Sequence, residues 1–123
     1  MKMANGRKPD IYFRRNGQID ITAKVSRILD IGAGDAINVW HAGGEYYLYV
    51  AERNARGSWR GVCREVNNRS HYFRANFNEL AKQIIEASGK EEAHLPVGIP
   101  IEMENLGTVL PLITRNNLYE DKH

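Results

Sequence analysis

The residues in this chain best equipped for chemistry are cations. Arg14, Arg15, Lys24 and Arg27 cluster near the N-terminus, and Arg64, Arg69 and Arg74 form a second group further along. Lysine and arginine neutralise phosphates and release the counterions condensed on a nucleic acid, and a planar guanidinium can also grip a guanine edge through two N–H groups. These residues are the candidate nucleic-acid face. The formal net charge of +2 hides how the charge is arranged. Residues 1–27 carry seven Lys/Arg and two Asp, and residues 28–51 carry three acids with no Lys or Arg. Residues 52–74 carry six Arg and two Glu, and residues 75–123 four bases and eight acids. Basic and acidic blocks therefore alternate along the chain.

Other chemistries find less support. Cys63 is the single cysteine, which excludes an internal disulfide framework and fits a reducing compartment. It reads as a buried structural thiol, because nothing in the spacing sets His41, His71, His94 or His123 beside it as a base. The histidines show no H-x-x-x-H spacing and no C-x-x-C is present, so neither a metal nor a cofactor is expected. Gly32-Ala33-Gly34-Asp35 precedes a strand and follows a helix, the reverse of a dinucleotide fingerprint, and reads as a plain turn. Among possible acid–base groups, Asp20 and Asp35 stand alone and Glu102 and Glu104 fall on the solvent side of a strand pattern. The aromatic residues Trp40, Tyr46, Tyr47, Tyr49 and Trp59 are able to stack bases, but in strands they read first as wall and core. No catalytic constellation emerges, and an enzyme is not expected.

The elements that must position the cations follow from periodicity. Ile11-Tyr12-Phe13 is a short β-prone run, Asn16-Gly17 is a hairpin turn signal of the type I′ kind, and Ile19 and Ile21 alternate with polar neighbours. Thr22 suits a helix N-cap, and Val25, Ile28 and Leu29 then share one helical face. Gly32 and Gly34 end that helix, Ile37 and Val39 alternate in a new strand, and Gly43-Gly44 turns the chain into Glu45–Val50. In the second half, Trp59–Val66 and His71–Arg74 read as strands around the turn Asn67-Asn68-Arg69. Asn76 and Glu79 have capping-box spacing ahead of the apolar stripe Phe77, Leu80, Ala81, Ile84 and Ile85, and Gly89 fits the C-terminal cap. Residues 90–93 read as a surface turn. Val97–Met103 alternates as an edge strand broken by Pro96 and Pro100, and Val109–Thr114 returns after Leu106-Gly107.

Both halves thus run strand, turn, strand, helix, turn, strand, turn, strand. The expected organisation is a flexible arm (1–10), a ββαββ unit (11–50), a linker (51–58), a second ββαββ unit (59–114) and a loose tail (115–123). One unit alone has too few residues for a good core, so the two are expected to pack into one barrel.

Residues 17–37, GQIDITAKVSRILDIGAGDAI, resemble without gaps the AbrB-type swapped-hairpin pattern, in which G-R-I-T-I-P leads into a short helix and then L-x-x-G-D-x-V. Gly17, Ile19, Ile21, Val25, Leu29, Ile31, Gly34, Asp35 and Ile37 carry the match. Three positions depart from it: Thr22 replaces a proline, Gln18 a basic residue, and Ser26 stands where arginine is common, with Arg27 adjacent. The resemblance implies a mostly β protein with two short helices, built as an AbrB-like swapped-hairpin β-barrel, here from two pseudo-repeats. It further implies a DNA-binding transcription regulator, with Arg14, Arg15, Lys24, Arg27, Arg64, Arg69 and Arg74 toward DNA. The alternative is a protein-interaction module, antitoxin-like or a mobile-element accessory protein, that keeps the barrel and meets a protein partner. Either form is a monomeric pseudo-dimer or a homodimer. No apolar run approaches the ~20 residues of a membrane span and the basic start lacks a secretory h-region, so a cytoplasmic location is expected.

Overall fold

Alternation along the first two strands sends Ile11, Phe13, Ile19 and Ile21 to one side, and all four are fully buried. The computed structural model describes residues 8–55, 59–66 and 70–120. Along them run β1 (Ile11–Phe13), β2 (Gln18–Ile21), α1 (Ala23–Leu29), β3 (Ala36–Ala42), β4 (Glu45–Glu52), β5 (Arg64–Glu65) and β6 (Phe73–Asn76). There follow α2 (Asn78–Ser88), β7 (Ala93–Leu95), β8 (Ile101–Met103), β9 (Gly107–Leu112) and a short 3-10 turn at Thr114–Asn116. Arg69 and its turn, residues 56–58 of the expected linker, most of the arm (1–7) and the end of the tail (121–123) lie outside the described residues.

The protein is mostly β, with two helices. Its strands form two antiparallel sheets, one ordered β5-β6-β2-β1-β7 and the other β3-β4-β9-β8. No closed barrel forms among the described residues. Isolated bridges do link the sheets, Ala36 with Val62 and Val97 with Leu112. Three of the neighbour relations cross between the halves of the chain: β2 lies against β6, β1 against β7 and β4 against β9. One core cluster takes side chains from both sheets and both helices, among them Phe13, Val25, Leu48, Ile84, Leu95, Leu110 and Leu112. Full burial of such a side chain stabilises by about 1.5–3 kcal/mol, so this shared core ties the two halves together.

The second half departs from its sequence pattern where prolines and pairing intervene. The run Trp59–Val66 is regular strand only at Arg64–Glu65, and the return strand is shifted to Phe73–Asn76. Residues 93–95, read as the end of a surface turn and its exit, form β7 beside β1, with Leu95 opposite Ile11. Pro96 and Pro100 then separate β7 from β8 because neither ring nitrogen can donate to a ladder.

The helix starts also differ. Thr22 occupies the N-cap of α1, but its hydroxyl donates to the Asp10 carbonyl at 2.7 Å, fastening the helix entry to the lead-in of β1. Asn76 is the last residue of β6, opposite Gln18, and Phe77 takes the N-cap of α2 with no side-chain cap, so the capping box does not form. In the first hairpin only Gly17 has positive φ, at +91°, so the turn is not type I′. Residues 117–120 are held rather than loose at one point: the Asn117 carboxamide bonds Glu92 O, Ser88 Oγ and His94 N. Among the described residues, no helix is long and apolar enough to cross a membrane.

Candidate nucleic-acid interface

The candidate cations divide sharply once the five-stranded sheet is assembled. Register places Arg64 opposite Arg74, Arg74 opposite Asp20, Asp20 opposite Tyr12, and Tyr12 opposite His94, a row that crosses all five strands. Its neighbours along each strand, such as Ile19, Ile21, Phe73 and Ala75, point into the core, so the row lies on the face turned away from it.

At the centre of that row Asp20 is almost fully buried and is clamped from both sides. Arg74 Nε donates to Oδ1 at 2.7 Å and Arg14 Nε donates to Oδ2 at 3.1 Å. Gln18 Nε2 adds a contact at 3.2 Å, and Arg14 reaches on to Glu92 Oε1 at 3.2 Å while its guanidinium sits over the Tyr12 ring. Burial alone pushes the Asp20 carboxyl upward, but the hydrogen bonds and charges of Arg74 and Arg14 outweigh it and hold the group below its ordinary value. The two arginines keep only about a third of their side chains exposed, 30% for Arg74 and 31% for Arg14. They are committed to the protein before any ligand arrives.

The remaining candidates face solvent. Arg15 is 70% exposed and only loosely associated with Glu91 at 3.9 Å. Lys24 lies 3.6 Å from Asp10 and is exposed beyond it. Arg27 and Arg64 are exposed and, among the described residues, have no ion-pair partner. Arg69 lies outside the described residues. Exposed cations of this kind lose little by exchanging water for phosphate.

Two of the departures from the AbrB pattern have structural reasons here. Ser26 is fully buried and its hydroxyl donates to the His71 carbonyl, with the Ala23 carbonyl as a longer alternative acceptor, so an arginine at this position would have no route to solvent. Gln18 donates to Asp20, where a basic residue would place a third cation on one carboxylate.

A second clamp, unforeseen in the sequence, closes the Gly32–Asp35 turn. Asp35 accepts from the backbone N–H groups of Gly32 and Asn54, each at 2.8 Å, and from Arg53 Nη1 at 2.8 Å. Arg53 also bonds the carbonyls of Leu29 and Asp30 at the C-terminal end of α1, where a cation meets the negative end of the helix dipole. Burial raises the Asp35 carboxyl, but the Asn54 and Gly32 N–H groups and Arg53 together bring it below its usual value. Arg53 sits in the segment read as a linker, with no periodicity to mark it. Cys63 is buried beside this turn, and burial, with a further push from Asp35, raises its thiol to about 12, far from a reactive thiolate.

No known family model, curated protein or solved structure matches the chain.

Proposed function

We propose that the protein binds duplex DNA through the outer face of its five-stranded sheet and the adjoining hairpin and helix, in the manner of AbrB-like regulators. The observation that carries this reading is the pairing of β2 with β6, which merges the two basic hairpins into one sheet and sets Arg14, Arg74 and Arg64 in adjoining positions. Arg15, Lys24, Arg27 and Arg64 then meet phosphates, while Arg14 and Arg74 shape the surface by holding Asp20.

The same pairings support an AbrB-like swapped-hairpin arrangement of two ββαββ units around a pseudo-twofold axis. β1 of the first unit pairs with β7 of the second, and Val62, just before β5, bridges Ala36 at the start of β3. β2 meets β6 with Asp20 opposite Arg74, and β4 meets β9 with Leu48 opposite Leu110. Each relation has its counterpart when the halves are exchanged. Such a chain is a complete pseudo-dimer and functions as a monomer.

The test is binding of a DNA duplex titrated with salt. Affinity should fall steeply as salt rises, and Arg15→Ala with Arg64→Ala should weaken binding across sequences and reduce the salt slope by about 1 per residue removed. Absence of binding at low salt, or binding indifferent to both substitutions, overturns the proposal. The second reading, a protein-interaction module of the same architecture, is favoured by the Asp20 clamp, which withdraws Arg14 and Arg74 from phosphate. It gains if the duplex is not bound at low salt.

A further inference from the structure

Two cavities of about 290 Å³ and about 490 Å³ open near the start of α2 and share Arg60 and Phe77 as walls. The first is lined also by Trp59 and Asn38, the second by Asn76 and Asn78. The larger has the size of a small-ligand site. The segment that carries Trp59 and Arg60 is drawn against this spot by Gly61. A Cβ there would lie 2.7 Å from the Ile37 carbonyl oxygen and 3.0 Å from the Phe77 ring, and φ is +74°.

The chemistry of the lining is specific. Trp59 is 51% exposed and, among the described residues, stacks on no other ring. The exposed side-chain amides of Asn76 and Asn78 have no hydrogen-bond partner among the described residues, with the Asn78 oxygen lying against Gly17 and its NH2 left to donate. Arg60 stands at the rim in an exposed ion pair with Glu79, the kind of contact that a phosphate can displace at little cost. An open aromatic face, free amides and a rim guanidinium are together the groups that recognise a nucleobase and its phosphate.

We infer that these adjoining cavities bind an unpaired nucleobase bearing a phosphate across their shared Arg60 and Phe77 walls, the base stacked on Trp59, its polar edge reaching Asn76 and Asn78, and the phosphate on Arg60. Free nucleotides and single-stranded nucleic acid share that chemistry. The inference extends the nucleic-acid reading above to unpaired bases, but through different residues, so the two can fail separately.

The experiment uses the full chain carrying Trp40→Phe, so that indole emission reports Trp59 alone. It is titrated with adenosine 5′-monophosphate, adenosine, a short single-stranded oligodeoxyadenylate and a duplex. Saturable quenching by the monophosphate or the oligonucleotide is expected, and the tighter of the two identifies the source. Asn76→Ala with Asn78→Ala should weaken it at least about tenfold. Glu79→Gln, which frees Arg60 and removes a competing carboxylate, should tighten the phosphate-bearing probes about two- to fivefold and leave adenosine unchanged. No saturable change with either phosphate-bearing probe, or quenching that survives the paired asparagine substitution, overturns the inference. Duplex binding sensitive to Arg15 and Arg64 with no quenching at Trp59 leaves the duplex proposal standing and removes this one.

Discussion

Asp20 and Arg74 face each other across β2 and β6, 54 residues apart in the chain, with Arg74 Nε 2.7 Å from Asp20 Oδ1. Asp20 also receives Arg14, so one nearly buried carboxylate organises the centre of the five-stranded sheet.

Removing the carboxylate should therefore cost more than removing either arginine. Asp20→Ala leaves two guanidinium groups without the anion between them, Arg14 keeping Glu92, and a loss of about 2–3 kcal/mol is expected, less than the roughly 3–5 kcal/mol of a fully buried pair because both arginines keep some water contact. Arg74→Met and Arg14→Met should each cost about 1–2 kcal/mol, since the other arginine still serves Asp20. Urea unfolding of the single and double variants checks this, and additive losses at Asp20 and Arg74 would deny the coupling.

Acid should expose the same clamp. The Asp20 carboxyl lies below its ordinary value of 3.8 in the folded chain, so its contribution is fully present above that value and is lost as pH falls through the lower folded one. Asp35 has the same sign. Wild-type stability should decline below about pH 4, and Asp20→Asn should flatten that decline while lowering stability at pH 7. Denaturation midpoints across this range measure it, and an unchanged slope in the variant would contradict the assignment.

Glycine substitutions separate turn strain from close packing. Gly43→Ala and Gly44→Ala add a Cβ with nothing within 4 Å, so only positive φ opposes them and each should cost about 1–2 kcal/mol. Gly61→Ala adds contact with a backbone carbonyl to the same strain and should cost more, about 3 kcal/mol or above. Thermal unfolding that ranks Gly61 with the hairpin glycines would show that its segment moves freely.

Arg53→Ala should loosen the end of α1. It removes bonds to Asp35 and to the Leu29 and Asp30 carbonyls, and a loss of about 1–2 kcal/mol is expected. Arg27→Ala, with its exposed side chain, should change stability by less than about 0.5 kcal/mol. Hydrogen exchange in residues 29–35 is the local readout, and equal protection in both variants would count against the clamp.

Much of the first half was legible because its signals are local. Ile19 and Ile21, and Ile37 and Val39, alternate with polar neighbours, Gly43-Gly44 has the positive φ of a tight hairpin, and the apolar face of α2 is the one the stripe from Leu80 to Ile84 implies. The readings that failed depended on neighbours. The Thr22 hydroxyl went to Asp10, Asn76 was claimed by its pairing with Gln18, and β7 formed in a charged turn because β1 offered it an edge.

The site divides along the same line. Residue order determined the strands of the first half, both helices and that the cations would come in two groups, since periodicity and composition act over a few neighbouring residues. Only the tertiary structure decided that Arg14 and Arg74 would close on Asp20 while Arg15 and Arg64 stayed in water. The reason is that a charge's partner is set by which distant strands lie side by side, and burial between them, rather than residue type, fixes whether an arginine serves the protein or remains open to a ligand.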